Sequence, residues 1–296
     1  MKIGILDYNT ESFSQDIMQK LNALGYNAEF VLLKQQKLPI EKKYDAILDR
    51  AGFQYDFLHE TMKAMAMQGS YIINNPFAYT SANKIIDAML CAKLRIATPK
   101  TILLPQIDGE WEPNDPIEPP DWEEIQKEIA FPAIMKAFNG FAWENVFEVK
   151  SAEDAKKKFE ELKKNFTMLL QEKIEFTDYY RVFCINKKDL LVAKWKPAPL
   201  GQGKLLFVEP VQAESLKKKI EKQTIELNKS LDFDINAVEW CIDKKTGKPV
   251  VIDAFNEVPD FDKTTMPEQY YWWAVDRVID CIRDKADRHR KNKVFF

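Results

Sequence analysis

Over the first 80 positions the apolar residues alternate between two spacings. Lys2 to Leu6, Ala28 to Leu33, Tyr44 to Leu48 and Tyr71 to Ile73 are short apolar runs of strand length. Between them Phe13, Ile17, Leu21 and Leu24 recur at helical spacing and stop at Gly25, and Phe57 to Met67 is a second helical stretch that stops at Gly69. Apolar residues three and four apart mark one helix face, and a glycine just past the last of them signals a C-cap. The pattern predicts an open βαβ layer.

A helix is predicted from Ser81 to about Leu94, with Ile85, Ala88, Met89 and Ala92 on one face, followed by a strand at Thr101 to Leu104. Gln106 to Pro120 holds four prolines and five acids and reads as a surface loop. Trp122 to Ile129 is a helical turn, Pro132 to Lys136 and Asn145 to Val149 are strands, and Ser151 with Asp154 marks a capped helix start. Met168 to Gln171, Tyr180 to Ile185 and Leu190 to Trp195 continue an antiparallel pattern. The last third predicts a long charged helix at Ala213 to Leu231 and strands at Asn236 to Ile242 and Pro249 to Phe255 joined by a turn at Lys244 to Gly247. It ends in a helix from about Glu268 to Asp287 with Trp272, Val275, Ile279 and Ile282 on one stripe.

Length and charge narrow the function. The 296 residues are two domains' worth of chain. Lys+Arg 43 against Asp+Glu 46 leaves a formal charge of -3, which argues against a phosphate-tracking nucleic-acid binder and against a polybasic membrane patch. No apolar run approaches the ~20 residues of a membrane span, and MKIGILDYNTESF lacks the apolar core of a signal peptide; the expected location is the cytoplasm. Cys91, Cys184, Cys241 and Cys281 form no C-x-x-C pair and read as reduced, buried thiols. Only nine glycines are present, so a phosphate site cannot depend on several glycine-rich loops.

Three oxygen ligands suited to a hard cation fall on neighbouring strands near the C-terminus: Glu239 in NAVEW, then Asp253 and Asn256 in VIDAFNEVPD. Magnesium takes one or two carboxylates and completes its shell with water and substrate phosphates. Lys84 starts a helix and Lys136 ends the apolar run FPAIMK, and a lysine at a strand mouth can meet a phosphate as a point charge. In MLLQEKI an apolar strand runs into polar residues, where backbone groups could hold a flat base and Glu172 or Asp178 could take ribose hydroxyls. Each of these residues also has an ordinary reading, as a solvated charge or a plain strand.

Taken in order, these segments resemble an ATP-grasp protein. NKIIDAMLCAKLRIATPKTILLP resembles the family's lysine-led helix, FPAIMKAFNGFAWENVFEV its phosphate-lysine strand and lid hairpin, LLQEKI its hinge, and NAVEW with VIDAFNEVP its metal strands. In YIINNPF, TILLP, LQEKIEFTDYYR and IDAFNEVPD it most resembles a bacterial subset of uncertain activity, similar in outline to ribosomal-protein glutamate ligases and glutathione synthetases. The resemblance implies an α/β (α+β) ATP-grasp fold with a preceding βαβ domain at 1–80, a linker helix and central lid subdomain at 81–195, and a C-terminal subdomain at 196–296 bearing the metal strands. It implies ATP and Mg2+ as cofactors. Lys84 and Lys136 would meet the phosphates, Gln171, Glu172, Lys173 and Ile174 the adenine, Asp178 the ribose, and Glu239, Asp253 and Asn256 the magnesium.

The reaction so implied is a carboxylate–amine ligation through an acyl phosphate, with small-molecule or peptide carboxylates and amines as substrates. Arg181, Arg50 and Lys194, with Lys196, are the candidates for holding carboxylates near the γ-phosphate, because arginine grips them bidentately. A kinase on the same scaffold and a nucleotide-binding protein without turnover remain as alternatives. Tyr270, Tyr271, Trp272 and Trp273 read as core and homodimer contacts. Two departures stand out: the lid segment Asn139 to Glu144 has one glycine, and two residues rather than one separate Asp253 from Asn256. A β-bulge would restore the metal geometry.

Overall fold

A parallel four-stranded sheet opens the chain, in the order β2 (Asn27–Phe30), β1 (Lys2–Leu6), β3 (Ala46–Asp49), β4 (Tyr71–Ile73). The structure is a computed structural model and describes residues 1–79, 83–112, 115–140, 145–194, 214–264 and 266–292, with residues 79 and 288–292 in backbone only. Helices α1 (Ser12–Ala23) and α2 (Asp56–Met67) supply the crossovers. Both end where the glycines predict. Gly25 and Gly69 take φ +86° and +85°. The following N–H groups, of Tyr26 and Ser70, reach back to Leu21 O and Met65 O at 3.1 Å, which satisfies carbonyls the helices leave open.

A short turn of helix, α3 (Pro76–Tyr79), leads to α4 (Lys84–Lys93). The predicted start at Ser81 moves to Lys84 because Asn83 is the cap, its side chain accepting from Ile85 N and Ile86 N. Next come β5 (Thr101–Leu104), α5 (Trp122–Glu128), β6 (Ala133–Ala137), β7 (Val146–Val149), α6 (Ala152–Leu162) and β8 (Met168–Glu172), whose strands form an antiparallel sheet ordered β5-β8-β6-β7. At α6, Ser151 accepts from Asp154 N, but the Asp154 carboxylate reciprocates one residue early, at Lys150 N.

The remaining strands make a third sheet among the described residues, β10 (Asp189–Lys194), β9 (Phe176–Ile185), β11 (Ile235–Asp243), β12 (Pro249–Asp253). Helices α7 (Glu214–Ser230) and α8 (Glu268–Asn292) complete the chain. Strand β9 is longer than predicted, because Asp178 interrupts its apolar pattern without interrupting its pairing to Ile242. This sheet joins strands from both sides of residue 195. Trp195, Lys196 and Ala213 lie outside the described residues.

One core spans the first and third sheets. Phe13 of α1 stacks on Phe261 at 4.7 Å, Phe183 of β9 lies 5.2 Å from the same ring, and Tyr271 of α8 is fully buried among them. Trp272, Trp273 and Tyr270 are partly buried against this cluster. The four cysteines are free and buried, and burial pushes the Cys91, Cys184 and Cys241 thiols up to about 12. Among the described residues no helix is long and apolar enough to cross a membrane.

A polar knot pins the two sheets together. Asp234 is 0% exposed, yet its carboxylate meets Lys187 at 2.8 Å, Lys285 of α8 at 2.6 Å and the Tyr71 hydroxyl of β4 at 2.6 Å. Beside it Asn74 is also buried: its Oδ1 accepts from Asp234 N and Ile235 N at 2.8 Å, and its Nδ2 donates to Ile235 O and Glu257 O. Removing one partner of a buried ion pair typically costs about 3–5 kcal/mol. Asp234→Ala is therefore expected to lower the unfolding free energy by about that amount in urea titration. A loss below about 0.5 kcal/mol, the scale of an ordinary surface change, would contradict this role.

Candidate active site

The start of α4 docks on the end of β6: Lys84 N donates to Phe138 O at 3.1 Å. That contact brings two lysines into one place. Lys84 Nζ donates to Gly140 O at 2.9 Å and lies 3.4 Å from Asp253 Oδ2 at the end of β12. Lys136 is only 7% exposed. In β6, Ala133, Met135 and Ala137 turn into the hydrophobic cluster of the second sheet, so strand alternation sends Lys136 to the opposite face.

The charges there are strongly coupled. Burial pushes the Lys136 ammonium below its ordinary range, against the pull of Asp253. Asp253 raises Lys84, more than burial lowers it. Burial also opposes ionisation of Asp253, but Lys84 and Lys136 outweigh it and hold this carboxyl low. Asp87, one helical turn after Lys84, is raised well above the carboxylate range by burial and then by Asp253. Burial thus disfavours charge on Asp87, while the two lysines favour it on Asp253.

Glu239 reaches the same cluster from β11. It stands across from Arg181 on β9 and across from Asp253 on β12. The Tyr179 hydroxyl donates to Glu239 Oε2 at 2.6 Å, and Arg181 Nε is 3.9 Å from Oε1. The β11–β12 register shifts between Glu239 and Trp240, whose partners are Asp253 and Val251. This is a bulge that places one extra residue, Ile252, on β12 just before Asp253, outside the Asp253–Asn256 interval. Asn256 is held by its backbone, its N–H donating to Asn236 Oδ1 at 2.7 Å and its carbonyl accepting from Ala237 N.

Among the described residues no three His, Cys, Asp or Glu side chains group as metal ligands. The paired carboxylates of Glu239 and Asp253 are a two-acid donor set, with Asp253 Oδ1 buried and bound by no N–H or hydroxyl donor. That set fits a magnesium ion whose other ligands are phosphates and water.

The remaining expected residues lie elsewhere. Gln171 to Ile174 form the crossing from β8 to β9. Gln171 Nε2 donates to Thr101 Oγ1, Glu172 N to Lys100 O, and Lys173 pairs with Glu148 at 2.6 Å, while Ile174 packs against Tyr179, Cys241 and Val250. Asp178 and Lys194 pair with each other at 2.8 Å on the edge of the third sheet. Arg50 sits at the first sheet: it bonds Asp7 Oδ2 and the Pro259 carbonyl, and its guanidinium lies over Phe13 at 5.0 Å. Residues 141–144 of the lid segment lie outside the described residues.

Sequence reasoning missed Asp87 and Tyr179. The signal was spacing: Asp87 is three residues after Lys84 on a helix and Tyr179 two before Arg181 on a strand, and each spacing puts the pair on one face.

The sequence matches no family model and no curated protein. Solved structures do match it over nearly its whole length. D-alanine–D-alanine ligase from Bacillus anthracis superposes with a TM-score of 0.75 at 17% identity, covering 99% of this chain and 100% of that one, and its complex with ATP gives 0.73 at 18%. The chain therefore has the ATP-grasp fold. A RimK domain ATP-grasp protein from Sphaerobacter thermophilus gives 0.65 at 16% identity over 96% and 100% of the two chains. The ATP-grasp ligase PsnB, complexed with a precursor variant, Mg and ADP, gives 0.65 at 12% over 96% and 98%.

The two neighbouring aspartates should respond differently to loss of charge. Burial opposes charge on Asp87 and the lysines favour it on Asp253, so Asp87→Asn is expected to cost less stability at pH 7 than Asp253→Asn, which leaves the buried Lys136 and the partly buried Lys84 without their anion and should cost up to about 3–5 kcal/mol. Equal losses in urea unfolding would show that the charge is not divided this way.

Proposed function

We propose that this chain is an ATP-dependent ligase that activates a carboxylate as an acyl phosphate and joins it to an amine. One observation carries the reading: Lys84, Lys136, Glu239 and Asp253, far apart in sequence, converge in one partly buried cluster. Two cations and two carboxylates together suit a nucleotide's phosphates with their metal.

In this reading Lys84 and Lys136 hold the phosphates, Gln171 to Ile174 face the adenine, Glu172 and Asp178 take the ribose, and Glu239, Asp253 and Asn256 hold magnesium. When bound, magnesium supplies charge neutralisation on the phosphate oxygens. Tyr179 fixes Glu239 by bonding Oε2, which leaves Oε1 for the ion; such outer partners orient ligating carboxylates. A carboxylate oxygen attacks the γ-phosphorus and ADP leaves. The amine nitrogen then attacks the acyl carbon, phosphate leaves, and the nitrogen's surplus proton passes to solvent. The chain's contribution is positioning and charge, with Arg181 close enough to Glu239 to steer the substrate carboxylate and with Arg50 and Lys194 as further anchors.

The test is release of free phosphate from ATP across a panel of carboxylates and amines. Release that needs both partners and falls about 10²-fold or more in Lys136→Met, as removal of an electrostatic stabiliser does, is the expected result. Transfer of γ-phosphate label to an alcohol would instead identify a kinase.

A further inference from the structure

Lys84 ties three parts of the chain to one side chain. Its backbone is held in place: Asn83 caps α4 by accepting from Ile85 N and Ile86 N, and Lys84 N donates to Phe138 O at 3.1 Å just past β6. Its Nζ donates to Gly140 O at 2.9 Å and lies 3.4 Å from Asp253 Oδ2 on β12, the Lys84 and Asp253 side chains being 19 and 29% exposed. With the backbone anchored, it is the side chain that can change partners, and lysine is a compact charge on a flexible four-carbon stem.

The pair with Asp253 is looser than a structural one. Charge-assisted N–H···O bonds run about 2.7–2.9 Å. The buried Asp234 has its lysines at 2.8 and 2.6 Å, whereas Lys84 stands 3.4 Å off Asp253 and makes its shorter contact to the Gly140 carbonyl. Asp253 Oδ1 is buried and has no N–H or hydroxyl donor among the described residues. A divalent cation takes carboxylate oxygens of this kind. It would arrive with Lys84 already beside Oδ2 and with Lys136 acting on Asp253 as a second positive charge. Like charges this close repel one another, and more so where water is partly excluded. Nucleotide phosphates reverse the balance, because their negative charge attracts the ammonium and the metal alike.

We propose that, before nucleotide binds, Lys84 is the counter-ion of Asp253 and keeps divalent cations off it, and that the nucleotide's phosphates admit the metal by drawing the ammonium away. The nucleotide's part rests on the ligase reading; the exclusion of the cation by Lys84 does not. One consequence separates this role from simple phosphate binding: loss of the Lys84 charge should strengthen binding of a metal on its own. Coupling of this kind is reciprocal, so the nucleotide should raise the affinity for metal as the metal raises the affinity for nucleotide.

The experiment titrates the full chain with Mn2+, which suits carboxylate ligands, and reads free Mn2+ by electron paramagnetic resonance in the wild type, Lys84→Met and Lys84→Gln, each variant also combined with Asp253→Asn. Without nucleotide, both single variants should bind Mn2+ at least about tenfold more tightly than the wild type, and the gain should vanish when Asp253→Asn is added. Thermal unfolding checks that each variant is folded, and glutamine keeps a donor for Gly140 should methionine prove unstable. A folded Lys84 variant that binds Mn2+ no better than the wild type, or a gain that survives Asp253→Asn, overturns the proposal. In the wild type a non-hydrolysable ATP analogue should raise protein-bound Mn2+, read by water-proton relaxation, and an analogue that binds without raising it also overturns the proposal. An analogue that does not bind at all removes the nucleotide reading instead, and the Mn2+ comparison among the variants still decides whether Lys84 excludes the cation.

Discussion

The burial of one carboxylate, Asp234, fixes where the parallel sheet meets the antiparallel one. Lys187 and Lys285 neutralise it, Tyr71 bonds it from the first sheet, and the adjoining Asn74 takes up the backbone groups where β11 begins. A fully buried anion is tolerated only when its partners are in place. The knot therefore permits one arrangement of β4, β11, the β9–β10 hairpin and α8. The lysine–carboxylate cluster follows from that arrangement, because β11 carries Glu239.

The lysine cluster applies the same physics in the opposite direction. At Asp234 two lysines neutralise a carboxylate and the matter closes. At Asp253 two lysines face one carboxylate and hold it low, while burial raises Asp87 beside it. Burial works against the Lys136 charge, so the site holds a cation that folding alone does not favour. Perturbed charges of this kind gather at functional sites. Lys84 is engaged by Asp253 and the Gly140 carbonyl, so an incoming phosphate and metal would exchange those contacts for their own.

Local signals in the sequence foretell the local structure. The helical spacing before Gly25 and Gly69 becomes α1 and α2 with their left-handed caps, and Ser151 caps α6 as its neighbour Asp154 suggests. The order of four motifs foretells the fold, and Lys84, Lys136, Glu239 and Asp253 do meet. What the sequence hides is long-range. Asp178 masks the continuity of β9, and the grouping of β9 and β10 with β11 and β12 depends on pairing between strands about 50 residues apart, which leaves no trace in periodicity. Asp87 looked like an ordinary helix acid, since its burial depends on β12 arriving above it. Arg50 has the residue type for gripping a substrate carboxylate, and its contacts with Asp7 and the Pro259 carbonyl, the latter about 200 residues away, leave no local trace in the sequence.

The measurement that bears most directly on the buried cluster is calorimetric titration with a non-hydrolysable ATP analogue, with and without magnesium, in the wild type and in Lys136→Ala. Magnesium-dependent binding that disappears in the folded variant is the predicted result. Absence of binding by the wild type in magnesium, or undiminished binding by the variant, would contradict a nucleotide site at Lys84, Lys136, Glu239 and Asp253.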